Sequence, residues 1–385
     1  MPTPIYLDYN ATTPVDERVL QAMLPYFSSS FGNAGSRTHA FGWVADEAVK
    51  IAREQVASLI SCEPQEIVFT SGSTESLNLA IKGVAQAHSS KGTHIIVAST
   101  EHKAVLDPCD HLAKMGWEVT HVPVGADGLV SLDEFRNALR SDTVLVSVML
   151  ANNETGVLQP ISELCELTRT NGTLFLCDAT QAVGKITVDV NHLGVDLLAF
   201  SAHKMYGPKG VGGLYVRRKN PRVRLEAQMH GGGHERGVRS GTLNVPGIVG
   251  LGKACEVCTE IMEDEAQRVS KLRDLFEQNV LFLPKTRLIG HPTKRLEHVS
   301  NIYFGDVEAE ALMMAMRGIA VSTGSACNSA SMEPSHVLMA MGLSREEAYS
   351  SIRFSFGRPT QERDVLFAIN HVKEAVTKLR GQRPL

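Results

Sequence analysis

Short runs of consecutive apolar residues, separated by helix-length stretches, constrain this chain more than any other feature. They fall at residues 67–70, 94–98, 117–122, 143–149, 173–177, 197–200 and 213–216. Helical patterns at 73–87 and 104–115 lie between them. A strand that is apolar on both sides must be covered on both faces, and helices between successive strands supply the cover. The expectation is a large α/β domain over residues 15–255, built on a mostly parallel sheet.

The rest of the chain reads differently. Residues 253–282 carry one long, charged amphipathic helix pattern. Strand-like 299–304, a helix at 308–317, strands near 319–322 and 352–356, and a closing helix at 361–379 follow it. Residues 1–14 and 256–385 are therefore expected to form a smaller α+β domain, joined to the first through the long helix. With 43% apolar and 21% charged residues, a largely disordered chain is excluded. Lys and Arg number 38 against 42 Asp and Glu, a net charge of −4. That balance offers no field for an anionic polymer or lipid surface, so neither direct nucleic-acid binding nor membrane association is expected. The start shows no basic and apolar leader pattern, and no run approaches the ~20 apolar residues of a membrane helix. Seven scattered cysteines, an odd number, suit free thiols in a reducing cytoplasm.

In open α/β sheets ligands gather at the carboxyl ends of the strands. The polar residues that follow each apolar run are therefore the candidates. Run 67–70 ends in Ser71-Gly-Ser-Thr-Glu-Ser76 and then a helix, so Ser73, Thr74 and the first helical N–H groups suit a phosphate. Run 173–177 leads into Asp178-Ala-Thr-Gln181, and run 197–200 into Ser201-Ala-His-Lys204. An acid and an amine at neighbouring strand ends, beside a phosphate-accepting helix, match the needs of pyridoxal phosphate. The Lys204 amine would form a Schiff base, and the Asp178 carboxylate would keep the ring nitrogen protonated. Run 94–98 ends in Ser99-Thr-Glu-His-Lys103, where His102 could lie over a flat cofactor and move protons. Asn153, in Ala151-Asn-Asn-Glu-Thr-Gly156, could reach a ring oxygen or a substrate carboxylate. Arg353 could hold that carboxylate through paired hydrogen bonds. Cys327 lies in Ser322-Thr-Gly-Ser-Ala-Cys-Asn-Ser-Ala-Ser331, among small polar residues that suit an exposed nucleophile rather than a core thiol.

Taken singly, each candidate has an ordinary explanation as a helix cap, a turn residue or a surface charge. The ordered set is what points to one site. Cys255-x-x-Cys258 lies inside a helix pattern without a second pair, which argues against zinc. The tract His230-Gly-Gly-Gly-His-Glu235 reads as a loop. The cluster Arg217, Arg218, Lys219, Arg222 and Arg224 reads either as a solvated edge or as a docking patch for an acidic partner or nucleic acid.

The sequence resembles the cysteine desulfurases of the IscS/NifS kind, fold-type I pyridoxal-phosphate enzymes. The resemblance rests on Tyr6-Leu-Asp-Tyr-Asn-Ala-Thr-Thr-Pro14, Thr70-Ser-Gly-Ser-Thr-Glu-Ser76, Thr100-Glu-His-Lys103, Asp178-Ala-Thr-Gln181, Ser201-Ala-His-Lys204, Arg239-Ser-Gly-Thr242, Gly324-Ser-Ala-Cys327 and Arg353-Phe-Ser355. It implies the fold-type I architecture, with a seven-stranded-type sheet in the large domain and the thiol on a loop at 322–333 of the small one. It further implies that Lys204 carries the cofactor, Asp178 pairs with the ring nitrogen and Gln181 with the ring hydroxyl. Ser73, Thr74, Ser201 and His203 would hold the phosphate, joined by Thr242 from the other subunit of a homodimer. His102 would stack on the ring as acid and base, with Asn153 beside the cofactor. Asn153 and Arg353 would bind the carboxylate of L-cysteine. Cys327 would take the sulfur as a persulfide, leave L-alanine, and pass the sulfur to an acceptor protein. The destination implied is iron–sulfur cluster assembly or thio-modification of nucleic acid. The housekeeping enzymes continue beyond the position of Leu385 with a scaffold-docking segment. That leaves a dedicated desulfurase for DNA phosphorothioate modification, or a selenocysteine lyase-like activity, as the alternatives.

Overall fold

The structure, a computed structural model, describes residues 4–323 and 333–381. The apolar runs form a seven-stranded sheet of β2 (Ile67–Thr70), β3 (His94–Ala98), β4 (Glu118–Val122), β5 (Thr143–Ser147), β6 (Leu174–Asp178), β7 (Leu197–Ser201) and β8 (Gly212–Val216), in the order β2-β8-β7-β6-β5-β3-β4. Strands β4, β3, β5, β6 and β7 run parallel. Strand β8 is antiparallel to both β7 and β2. Alternate residues divide between two cores, as the pleat requires. Phe69, Ile96, Phe175, Cys177, Leu198 and Phe200 face one core. Val68, Ile95, Val97, Leu176, Leu197 and Ala199 face the other. Helix Ser73–His88 contributes Leu77, Ala80, Ile81 and Val84 to the second core, and helix Ala40–Leu59 contributes Ala45, Val49, Ala52 and Val56 to the first.

A three-stranded antiparallel sheet, in the order β12-β10-β9, comprises β9 (Thr286–Ile289), β10 (Val299–Phe304) and β12 (Ser351–Ser355). Short β1 (Ile5–Tyr6) pairs parallel with β11 (Ile319–Ala320). A third core surrounds these strands and takes Val365, Ile369 and Val372 from helix Glu362–Gly381. Phe276 centres it, with ring centroids 4.6 Å from Phe354 and 5.6 Å from Phe356. Each such aromatic pair adds about 0.5–1.5 kcal/mol beyond the burial of its surface.

The long helix starts earlier than its charge pattern predicts. It runs Val245–Val280, 36 residues, against an expected start at 253. The reason is local. Asn244 caps it by accepting the Gly247 N–H, and Pro246 occupies the first turn, where its missing donor costs nothing. The added turns are small and apolar because they pack closely. A Cβ at Gly252 would come 2.6 Å from the Ala52 Cα, and one at Gly250 2.6 Å from the Met23 Sδ. Val245, Ile248, Leu251, Cys255 and Cys258 belong to the first core, and Val269, Leu272, Phe276 and Val280 to the third. At 1.5 Å per residue the helix reaches about 54 Å, long enough to serve both.

Candidate active site

The carboxyl ends of β2, β3, β5, β6 and β7 open on one cavity of about 580 Å³. Its walls carry Ser73, Thr74, His102, Asn153, Asp178, Gln181, Ser201, His203, Lys204 and Arg353. Of the residues singled out from sequence, Thr242 is exposed and off the wall. Cys327 lies outside the described residues.

Lys204 ends the single 3₁₀ turn Ala202–Lys204 that follows β7. Its Nζ donates to two main-chain carbonyls of the N-terminal segment, Asn10 O at 2.6 Å and Ala11 O at 2.8 Å. Asp178 is the last residue of β6 and is buried. Its Oδ1 accepts from the Thr180 main-chain N–H at 2.9 Å and from the Thr180 hydroxyl, which also lies 2.7 Å from Ser73 Oγ. These bonds hold the carboxylate still at the strand end. Gln181 turns its Nε2 to Asn10 O at 3.0 Å.

The wall expected from the sequence to take the phosphate is built on backbone. Gly72, with φ +148°, caps helix Ser73–His88 in a conformation that L side chains rarely adopt. The chain then enters the helix with Ser73 and Thr74 on the cavity wall and the positive end of the helix dipole toward it. His203 bonds through Nδ1 to Thr12 Oγ1 at 3.1 Å. Burial, with Lys204 and Lys209 nearby, pushes its pKa down to about 4, so it is neutral at physiological pH.

His102 caps helix Lys103–Lys114, its Nδ1 accepting the Ala104 N–H at 3.1 Å. An accepting Nδ1 carries no proton, which leaves Nε2 as the ring nitrogen able to donate. Arg353 is buried on β12. Its Nη2 pairs with Asp8 Oδ1 at 2.6 Å, and its Nη1 donates to Asn153 O at 2.7 Å. Two buried polar atoms of this wall, Arg353 Nε and Asn153 Oδ1, have no hydrogen-bond partner among the described residues. A buried unpaired donor and acceptor cost stability unless a ligand completes them.

Several wall and support residues are not among the candidates singled out from the sequence. Asn10, Ala11 and Thr12 reach the cavity from the N-terminal segment. Glu101 and Glu154 adjoin His102 and Asn153 in sequence but turn into the interior. Glu101 accepts the Met149 N–H at 2.7 Å, and Glu154 accepts from the Ser335 hydroxyl at 2.5 Å. Burial pushes both acids up, and Asp178 adds to the effect on Glu101.

Residues 5–366 match the family model for class-V aminotransferases. The chain is 57% identical over its whole length to a cysteine desulfurase IscS of Anaeromyxobacter sp. (strain Fw109-5), covering 95% of that relative. The chain belongs to the class-V aminotransferases, in their IscS/NifS-like cysteine desulfurase branch. Among solved structures, a NifS-like protein superposes with a TM-score of 0.91 at 37% identity, over 98% of this chain and 100% of that one. A structure of SspA in complex with cysteine superposes with a TM-score of 0.81 at 36% identity, over 92% and 99%. The family, the α/β fold class and the pyridoxal-phosphate cofactor expected from the sequence are thereby borne out.

The residues present fit that cofactor. An amine and a buried carboxylate share one cavity with a glycine-capped helix N-terminus and two polar atoms left for a ligand. No helix among the described residues is long and apolar enough to cross a membrane.

Proposed function

We propose that this desulfurase takes sulfur from L-cysteine onto Cys327, releases L-alanine, and hands the sulfur to an acceptor protein in the cytoplasm. The observation that carries the reading is the gathering of Lys204, Asp178, His102 and Asn153, from four strand ends of the large sheet, with Arg353 from β12 on one cavity wall. Pyridoxal phosphate, when bound, supplies an electron-withdrawing ring that loosens bonds at the α and β carbons of an amino acid.

Lys204 tethers the cofactor. Asp178 holds a proton at the ring nitrogen, steadied by Thr180. Gln181 and Asn153 orient the ring, and Ser73, Thr74, Ser201 and His203 hold the phosphate. A neutral His203 can donate to a phosphate oxygen from Nε2 while Nδ1 accepts from Thr12. His102 moves protons through Nε2. Arg353 Nε and Asn153 Oδ1 take the amino acid, the first its carboxylate and the second a donor group of the substrate or cofactor. Domain boundaries at about 255, with residues 1–14 joining the smaller unit, suit this arrangement: Arg353 and Asp8 come from one side and Lys204 and Asp178 from the other.

The chain acts as a homodimer in this proposal. Phe27, Phe31, Phe41 and Trp43 are exposed, with the Phe31 and Phe41 rings 5.4 Å apart, an apolar surface suited to a second copy. Thr242, off its own cavity wall, is then available to the other subunit's phosphate. A single-chain mass in solution at micromolar concentration would remove the dimer from the proposal.

The activity is tested by adding L-cysteine and a dithiol reductant to the pyridoxal-phosphate-loaded protein and measuring L-alanine and sulfide in equal amounts, the dithiol reducing the persulfide and being oxidised to its disulfide. Alanine without released or protein-bound sulfur would contradict it. The identity to IscS favours an acceptor for iron–sulfur cluster assembly. Persulfide transfer to a cluster scaffold, compared with transfer to a thio-modification protein, decides between those destinations.

A further inference from the structure

A hydrogen-bonding hub runs inward from the cavity wall, and its centre is Asn10. The residue is 1% exposed. Its main-chain N–H donates to Ser355 Oγ at 3.0 Å, and its carbonyl accepts from Lys204 Nζ at 2.6 Å and Gln181 Nε2 at 3.0 Å. Its side chain points elsewhere. Nδ2 donates at 3.1 Å to the Asn153 carbonyl, the same oxygen that accepts from Arg353 Nη1 at 2.7 Å.

The orientation of the Asn10 amide follows from its partners. A main-chain carbonyl only accepts, so the amide nitrogen faces Asn153 and Oδ1 faces the opposite way. There Oδ1 meets His298 Nε2 at 2.9 Å, in a fully buried setting. An amide oxygen also only accepts, so His298 presents an Nε2–H. Burial, reinforced by Lys185, Arg273 and Arg353, holds this imidazole in the neutral form.

We propose that His298 is a positioning residue for substrate binding, acting through Asn10 on the main chain of Asn153. The proposal rests on the reading of Arg353 and Asn153 as the amino-acid site. An asparagine amide rotates between two nearly equivalent states, and only its partners choose between them. Without the His298 donor, Oδ1 is buried and unpaired. A flipped amide would set oxygen against the Asn153 carbonyl, acceptor against acceptor. In the flipped state the Asn153 carbonyl loses its Asn10 donor, and in the unflipped state nothing fixes the amide that supplies it, so the two polar atoms offered to the ligand, Asn153 Oδ1 and Arg353 Nε, lose their register. Lys204 and Gln181 hold the carbonyl of Asn10 rather than its amide, so cofactor attachment does not depend on the pair.

Three variants of the pyridoxal-phosphate-loaded protein test this: His298→Leu, His298→Gln and Asn10→Ala. Glutamine can place an N–H near the position of Nε2, whereas leucine fills space without donating. The readouts are the visible band of the cofactor, its perturbation on titration with L-alanine, and KM and kcat for L-cysteine. The band should persist in all three. In His298→Leu and Asn10→Ala the half-saturating L-alanine and the KM should rise about tenfold, the loss of one buried hydrogen bond worth about 1.4 kcal/mol. The kcat should change far less, and His298→Gln should recover most of the affinity. Equal L-alanine affinity in the leucine and glutamine variants overturns the proposal, because a packing role would not separate them. Should His298→Leu not fold, unchanged L-alanine affinity in Asn10→Ala overturns it alone. A wild-type protein that forms no band with pyridoxal phosphate defeats the functional reading itself, and this proposal with it.

Discussion

Lys204→Ala is expected to lower L-alanine production from L-cysteine by more than about a thousandfold, which corresponds to about 4 kcal/mol of barrier. The amine lies on the cavity wall with Asp178 and His102, at the end of a turn that fixes its approach. The phosphate cradle is separate. On the proposed reading it depends on Gly72, on the first turn of helix Ser73–His88 and on His203, all of which remain in the variant. The variant should therefore still bind pyridoxal phosphate, but lose it on gel filtration, and borohydride treatment should leave no label on the protein. Wild type treated alike should carry the label on the peptide that contains Lys204. Label on another lysine would overturn the assignment, and Lys209, which also lines the cavity, is the first to inspect.

What the sequence showed best was whatever depends on short-range pattern. Strand β10 was expected at 299–304 and forms at Val299–Phe304, because an apolar run between polar turns leaves little freedom of register. The strand-end residues were legible for a related reason. A parallel sheet places all its carboxyl ends on one edge, so Asp178, Lys204 and His102 need only follow their strands to meet. Asn10, Asp8 and His298 had no such pointer. Asp8 meets Arg353 across 345 positions of sequence, and Asn10 meets His298 across 288. Those pairings depend on β1 joining β11 and on Asp8 bridging Ser355, contacts that no local periodicity encodes. Glu101 and Glu154 illustrate a different limit. Each sits beside a predicted site residue, yet its side chain turns into the interior, Glu101 to the Met149 N–H and Glu154, within the turn 153–155, to the Ser335 hydroxyl, contacts no local pattern announces.

Cys327→Ser should keep the cofactor band and the L-cysteine-induced change in it, yet lose persulfide formation and lower L-alanine production by at least about a thousandfold. Sulfur transfer needs a thiolate. It attacks the substrate sulfur and forms the S–S bond as the bond to the β carbon breaks, and the bonding electrons pass to that carbon, which takes up a proton to become the methyl of L-alanine. A serine hydroxyl at neutral pH supplies neither the anion nor the soft nucleophile. The described cysteines offer no substitute. Cys109, Cys165, Cys177, Cys255 and Cys258 are buried, and Cys62 is partly so. Burial pushes every one of their thiols up, Cys109 to about 12, so their thiolate fraction at neutral pH is negligible. None of them lines the cavity. The two described flanks of the Cys327 segment, by contrast, are tied to the site. Ser322 exchanges main-chain bonds with Arg353, and Ser335 donates to Glu154 beside Asn153. A persulfide assay on the intact variant, read by alkylation and mass, checks the claim. Wild-type levels of protein-bound persulfide in Cys327→Ser would move the nucleophile to another thiol, and Cys62, the least enclosed of the others, would be the next to replace.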